Sequence, residues 1–191
     1  MSQKLLLIQE NENESSDIVY VLSSVGYSFV RIIGVDNDVV GISKEFEPDM
    51  VVIDVCRPRR PLIEMVSNIL NVRPIPVVMF VEESSDSVVS DVIKSGVSAY
   101  VVDGYQRDRI RSVISVARAR FEEKQKLLGE LSDVRNALND RKIIDRAKGV
   151  VMKQKFCDEE SAYRLMRKMA MDKNKRVVDV AQQLLELTDL I

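Results

Sequence analysis

The 191-residue chain contains no histidine and only two cysteines, Cys56 and Cys157, which lie far apart. Without histidine the usual zinc ligand sets cannot be assembled within one chain. The commonest general base is missing too, and with it the Ser-His and Cys-His nucleophile arrangements. No enzymatic activity, metal or cofactor is expected, and both cysteines are expected as reduced thiols. Long apolar runs are also absent: the N-terminal segment offers only Leu5 to Ile8 before its acids, too short for a signal peptide or membrane span, so a cytoplasmic location is expected. Helix breakers are scarce in the second half, with no proline after Pro76 and no glycine between Gly104 and Gly129. That scarcity predicts a long helix beginning near Gln106.

What is present is a chain that is 46% apolar, enough for one ordinary domain plus a smaller one. A formal net charge of −2 hides a separation: residues 1–105 hold 8 Lys or Arg against 16 acids, and residues 106–191 hold 20 against 14. The two halves are therefore expected to meet different partners.

In the acidic half, continuous apolar runs at Lys4–Ile8, Met50–Ile53, Val77–Val81 and Ala99–Val102, with Phe29–Val35 as a fifth, predict strands buried on both faces. Helical patterns alternate with them: Ile18 to Val25 ending at Gly26, Val39 to Phe46 before Pro48, Ile63 to Leu70, and Val88 to Ile93 ending at Gly96. Strand and helix in alternation imply an α/β doubly wound parallel sheet. This order resembles the receiver domain of response regulators, a flavodoxin-like fold, over residues 4 to about 120.

That resemblance implies a phospho-acceptor pocket with Asp54 at the end of its strand. The rest of the pocket departs from the pattern. An acidic pair that would hold Mg²⁺ is represented by Gln9 and Glu10, the switch hydroxyl by Val81, the phosphate-pairing lysine by Asp103, and the following proline by Gly104. Losing a carboxylate weakens Mg²⁺ binding, and an acid in place of the lysine repels a phosphate. Glu10, Asp54, Val81 and Asp103 are thus expected to form a vestigial pocket, and Tyr100, kept from the pattern, is expected to pack. The Arg57–Pro61 loop and the acidic Glu82–Asp86 loop are candidate protein-docking surfaces.

Along the long helix, Ile110, Ile114, Ala117, Phe121, Leu128, Leu131 and Leu138 approximate a heptad seam broken by Lys124 and Arg135. Leu127, Leu131, Val134 and Leu138 offer a second register. Residues 107–120 are expected to pack on the sheet domain, and the remainder to form a homodimeric coiled coil.

From Arg141 to Arg176 there are 12 Lys or Arg against 5 acids, in three amphipathic segments able to close a small bundle. Ile143, Ile144, Ala147, Val150 and Val151 make one face; Asp158 is expected to cap a second helix with Ala162, Leu165, Met166, Met169 and Ala170 inward; Asn174 is expected to cap a third. Arg141, Lys142, Arg146, Lys148, Lys153 and Lys155 remain near the surface, and Lys173, Lys175 and Arg176 sit at the last turn, where a helix N-terminus and cations together can hold phosphate. Gly149 in mid-helix costs about 1 kcal/mol relative to alanine, a cost explained by close approach of the backbone to something or by packing against another helix. Tyr163 is expected in the core with its hydroxyl at the rim.

The positions Arg141-x-x-Ile144-x-x-Ala147-Lys148-Gly149-x-x-Met152, Ser161-Ala162-Tyr163-x-Leu165-x-Arg167-x-x-Ala170-Met171, Asn174 and Val180-Ala181 resemble the ANTAR domain, the RNA-binding antiterminator module of AmiR- and NasT-type regulators. With Val77 to Glu82 and Gly96 to Gly104, the whole chain is most similar to the NasT type. The resemblance implies a receiver-like domain over 1–120, a connector over 106–140 and an ANTAR domain over 136–191. It implies binding of paired stem-loops in leader RNA to prevent a terminator hairpin, for nitrate or nitrite assimilation genes, under a nitrate- or nitrite-sensing protein partner. The RNA-binding residues expected on this basis are Arg141, Lys142, Arg146, Lys148, Gly149, Lys153, Lys173, Asn174, Lys175 and Arg176. Two alternatives remain open from the residues: an ANTAR regulator activated by phosphorylation of Asp54, and a DNA-binding response regulator.

Overall fold

A computed structural model describes residues 3–10 and 16–188; the outer domain limits expected from the sequence, 1 and 191, lie outside them. The chain divides into two compact units, residues 1–125 and 126–191.

In the first unit, five parallel strands β1 (Gln3–Gln9), β2 (Tyr27–Gly34), β3 (Met50–Val55), β4 (Val77–Val81) and β5 (Ala99–Val101) form one sheet in the order β2-β1-β3-β4-β5. Helices α1 (Ser16–Ser24), α2 (Val39–Phe46), α3 (Arg60–Val72) and α4 (Asp86–Lys94) connect them. Alternation along each strand sends residues to opposite faces, and both faces are covered. Leu6, Ile8, Val51, Ile53, Val77 and Met79 join one core, while Leu5, Leu7, Met50, Val52, Val78 and Phe80 join the other. This two-sided burial is why the strands read as unbroken apolar runs.

One helix, α5 (Arg107–Lys155), then runs for 49 residues. Its first turns bury Ile110, Ile114 and Ala117 in the second core, as their spacing predicts. Arg118 donates to the Tyr27 hydroxyl at 2.6 Å and to Gln3 Oε1 at 2.9 Å, fastening this part of the helix to the sheet's edge. Burial raises the Tyr27 pKa, and Arg118 opposes the shift.

The second unit holds the rest of α5 with α6 (Glu159–Asp172) and α7 (Val177–Thr188). Ala147, Val151, Ala162, Met166 and Ala181 form its buried centre, with Ile143, Ile144, Leu184 and Leu185 packed around them. Connector and first bundle helix are thus a single element. Nothing between Arg107 and Lys155 interrupts it, and helix formation propagates at little cost once nucleated.

Two turns close the bundle. At the end of α5, Phe156 takes a left-handed φ of 50° and the Cys157 N–H reaches the Met152 carbonyl at 3.3 Å. At the end of α6, Asn174 takes φ 50°, the Asn174 N–H bonds Met171 O at 3.1 Å, and the Lys175 N–H bonds Ala170 O at 2.9 Å. This is a Schellman termination with asparagine in the left-handed position. Asn174 therefore ends α6 and does not cap α7, a correction to the sequence reading. Asparagine suits both places, because its short side chain tolerates positive φ as readily as it caps. Asp158 does cap α6, accepting from the Ser161 N–H at 2.7 Å.

Candidate nucleic-acid interface and the relic of a receiver pocket

At the carboxyl edge of the sheet, Gln9 lies in register with Asp54, and Val55 with Val81. Gln9 Nε2 donates to Asp54 Oδ2 at 3.2 Å. Gln9 is 4% exposed and its Oε1 has no hydrogen-bond partner. Val81 is fully buried, Glu10 is exposed, and Asp103 stands exposed at φ 69°. A divalent cation beside Asp54 needs further oxygen anions, but the neighbouring group is a neutral amide that presents its N–H₂ to the carboxylate. Among the described residues no three metal-ligating side chains converge, so the residues present do not form the Mg²⁺ site that a receiver pocket requires.

The loops around this edge are tied to one another. Arg57 pairs with Glu83, the Glu82 and Glu83 N–H groups both bond Cys56 O at 3.1 Å, and the Tyr100 hydroxyl meets Ser84 Oγ at 2.6 Å. The hydrogen bond to Glu82 pushes the Cys56 thiol pKa up. Two of the charged loops expected as docking surfaces thus pair with each other. Beside them opens a cleft of about 480 Å³ lined by Glu10, Asp36, Arg57, Arg59 and apolar residues that include Leu62 and Met65.

In the second unit the cations separate into two groups. Lys148 faces inward: its Nζ lies 2.7 Å from Asp145 Oδ1 and 2.6 Å from Glu159 Oε1, and its side chain is only 15% exposed. These contacts raise the Lys148 pKa, and the hydrogen bond from Lys148 lowers that of Asp145. Arg176 binds Asp140 Oδ2 at 2.8 Å, and its own N–H donates to Asp179 Oδ2 at 3.1 Å. One backbone N–H at the start of α7 is therefore supplied with an anion by the chain itself. Both side chains tie α5 to its bundle partners, and the sequence could not reveal which acids would meet them.

The other group points away from the bundle core. Lys142, Arg146 and Lys153 are exposed and make no ion pair among the described residues. With Gly149 they follow steps of four, three and four, which at 3.6 residues per turn places all four within an arc of about 60°. Buried Ala147 and Val151 lie on the other side of the same helix. A Cβ built on Gly149 would meet no atom within 4 Å, so packing against a helix of this chain is not what the glycine serves. Lys173 and Lys175 are exposed at the turn after α6, and Arg141 reaches Asp145 only at 3.9 Å.

Tyr163 is 42% exposed, as are Leu165 and Met171 in good part. This corrects the placement of Tyr163 and Leu165 in the core. The inward face of α6 is the narrower stripe Ala162, Met166 and Ala170. Phe156, which the sequence reading passed over, is 96% exposed. Its signal was available: an aromatic between a lysine-rich helix end and the capping Asp158, where nothing apolar can cover it. Farther up α5, Leu127, Leu128, Leu131, Val134 and Leu138 are all about half exposed.

Fold and residues together define a receiver-type α/β domain joined through a long helix to a basic helical output module. Comparison with known proteins agrees. The receiver domain of a modulated diguanylate cyclase from Desulfovibrio desulfuricans superposes with a TM-score of 0.54 at 14% identity, covering 65% of this chain and 99% of that one. A chemotaxis response regulator of Vibrio cholerae gives 0.52 at 15% identity, covering 61% and 99%. The ANTAR domain model matches residues 132–185. Over 184 residues, 96% of this chain and 90% of the relative, the sequence is 28% identical to the transcriptional regulatory protein PdtaR of Mycobacterium tuberculosis. Over 80 residues it is 40% identical to the Nitrate regulatory protein of Klebsiella oxytoca, a match covering 42% of this chain and 20% of that protein. The chain carries an ANTAR domain over residues 132–185 and a receiver fold at its N-terminal end, and it is similar to transcriptional regulators, the NasT type among them. No helix among the described residues is long and apolar enough to cross a membrane.

Proposed function

We propose that the protein is an RNA-binding transcription antitermination regulator that engages paired stem-loops in a leader transcript and so prevents a terminator hairpin from forming. The observation that carries this reading is the row Lys142, Arg146, Gly149 and Lys153, unpaired cations on both sides of a gap in the helix surface. RNA stems are recognised through shape and phosphate contacts, and a helix without a side chain at one position lets a sugar-phosphate strand approach its backbone while cations hold the flanking phosphates. Gly129, equally open on the same helix, has Gln125, Lys126, Ser132 and Asp133 one turn away and lacks such a row.

Mechanistically, the protein competes between RNA folds and performs no covalent step. Two copies joined through Leu127, Leu128, Leu131, Val134 and Leu138 would hold two stem-loops at once, since a half-exposed leucine stripe is costly to leave in water and linkage multiplies weak contacts. Domain limits of 1–120, 106–140 and 136–191 fit this division of labour. The Gln9–Asp54 contact favours control by a protein that holds and releases the regulator, and the Klebsiella oxytoca relative's name supports nitrate or nitrite assimilation as the regulated process. A gel shift comparing one stem-loop, a pair of stem-loops and duplex DNA tests the reading. Preference for the RNA pair supports it, and preference for duplex DNA replaces it with the DNA-binding alternative.

A further inference from the structure

Phe156 combines two costs with no visible return inside the chain. Its φ of 50° is a conformation that bulky side chains adopt rarely, and its ring is 96% exposed. The other phenylalanines whose side chains are described, Phe46, Phe80 and Phe121, are buried or half-buried. Glycine would end α5 at this position without strain. A strained, uncovered aromatic is better explained by what it meets than by the fold.

The charges around it indicate the class of partner. Lys153 and Lys155 precede Phe156 by one turn or less, are exposed, and have no ion-pair partner among the described residues. Three acids follow it, and each is engaged. Asp158 caps α6 by accepting from the Ser161 N–H and has its pKa lowered by that hydrogen bond, Glu159 binds Lys148, and Glu160 binds Arg164 at 3.1 Å. The free charge beside the ring is positive. An aromatic face beside unpaired cations fits a nucleobase whose own phosphates lie within reach.

We propose that Phe156 is a stacking platform for an unpaired base of the bound RNA, placed one turn past the Lys142–Lys153 row. This assignment rests on the RNA-binding reading above and adds a residue and a ligand class to it: a splayed loop base, where the row itself meets backbone.

The chain contains no tryptophan, so Phe156→Trp places a single reporter at the site. The full-length protein is titrated with a paired stem-loop RNA and, in parallel, with a fully paired RNA duplex of the same length. Expected are strong quenching of the tryptophan by the stem-loop RNA, little by the duplex, and near-native affinity. Phe156→Gly, which relieves the backbone, should raise the thermal midpoint while weakening stem-loop binding about five-fold or more. If the wild-type chain binds the stem-loops, Phe156→Gly binds as tightly and the tryptophan is unquenched, the stacking role is overturned and the RNA reading stands. If the wild-type chain binds no RNA, both fall. A blue-shifted emission that depends on protein concentration without RNA overturns the stack in favour of burial by a second copy.

Discussion

Gln9 presents its amide N–H₂ to the Asp54 carboxylate at 3.2 Å, so the acid retained at the phospho-acceptor position is already engaged by a neutral neighbour. With Val81 offering no hydroxyl and Asp103 in place of a cation, Asp54 keeps only Glu10 of the groups that would help it recruit Mg²⁺ and neither of those that would steady a phosphoryl group. Incubation with an acyl phosphate donor and Mg²⁺ is expected to leave the protein's mass unchanged, and RNA affinity with it. A phosphoryl adduct on Asp54 that strengthens RNA binding would restore the phosphorylation-driven alternative.

Gly149→Ala should move stability and function in opposite directions. Removing a mid-helix glycine gains about 1 kcal/mol, and the open space around the new methyl group offers no clash. On the proposed RNA-binding reading the same methyl group fills the gap left for the RNA strand, so stem-loop affinity should fall. Gly129→Ala is the matched control, raising the thermal midpoint without changing RNA binding. Equal RNA affinity in both variants would remove the gap from the RNA, and a loss of self-association confined to Gly149→Ala in sedimentation would place it at a subunit seam.

Lysines on the two faces of α5 should behave differently. Lys142→Ala and Lys153→Ala are expected to keep the midpoint while each lowers the slope of log affinity against log salt by about one. Lys148→Ala leaves Asp145 and Glu159 without their shared partner and is expected to lower the midpoint of the C-terminal unit first. Circular dichroism melts alongside salt titrations separate the two effects, and a normal midpoint with a reduced slope for Lys148→Ala would put that residue on the RNA.

Acid should loosen the same clamp. Asp145 and Asp158 have pKa values below their usual 3.8, so their contribution is fully present above that value and is lost as pH falls through the lower folded-state values. Lys148 is raised above its usual 10.5, and its contribution persists below that value and is lost as pH rises through the folded-state pKa. Melting of the C-terminal unit should therefore be flat around neutrality and decline at both extremes. Replacing Asp158 with asparagine, which still caps, should flatten part of the acid limb. An acid limb unchanged by this replacement would remove Asp158 from the account.

Much of the fold was legible because burial on both faces leaves a plain mark: Val77–Val81 is the fourth strand as predicted, and Pro48, Gly26 and Gly96 stand just past the helices they end. The helical output module was readable from many separated positions, Ala147-Lys148-Gly149 and Ala170-Met171 among them. The roles of individual cations were not. Lys148 and Arg176 look like Lys142 and Arg146 in the sequence, and only the arrival of Glu159 from α6 and the turn of α5 that carries Asp140 give the first two ion-pair partners within the bundle. Asn174 was misread for a similar reason, since capping and left-handed termination call for the same side chain. Phe156 stands in the sequence between lysines and the capping Asp158, and its left-handed backbone angle adds what the sequence could not carry.

The most direct test of the central claim is the affinity of the full-length protein for a leader RNA carrying two stem-loops, measured by filter binding beside each stem-loop alone and beside duplex DNA of matched length. The account predicts that the two-loop RNA binds at least ten-fold more tightly than either loop, as linkage between two output modules requires, and that duplex DNA binds weakly. Equal affinity for one loop, two loops and duplex DNA would contradict it.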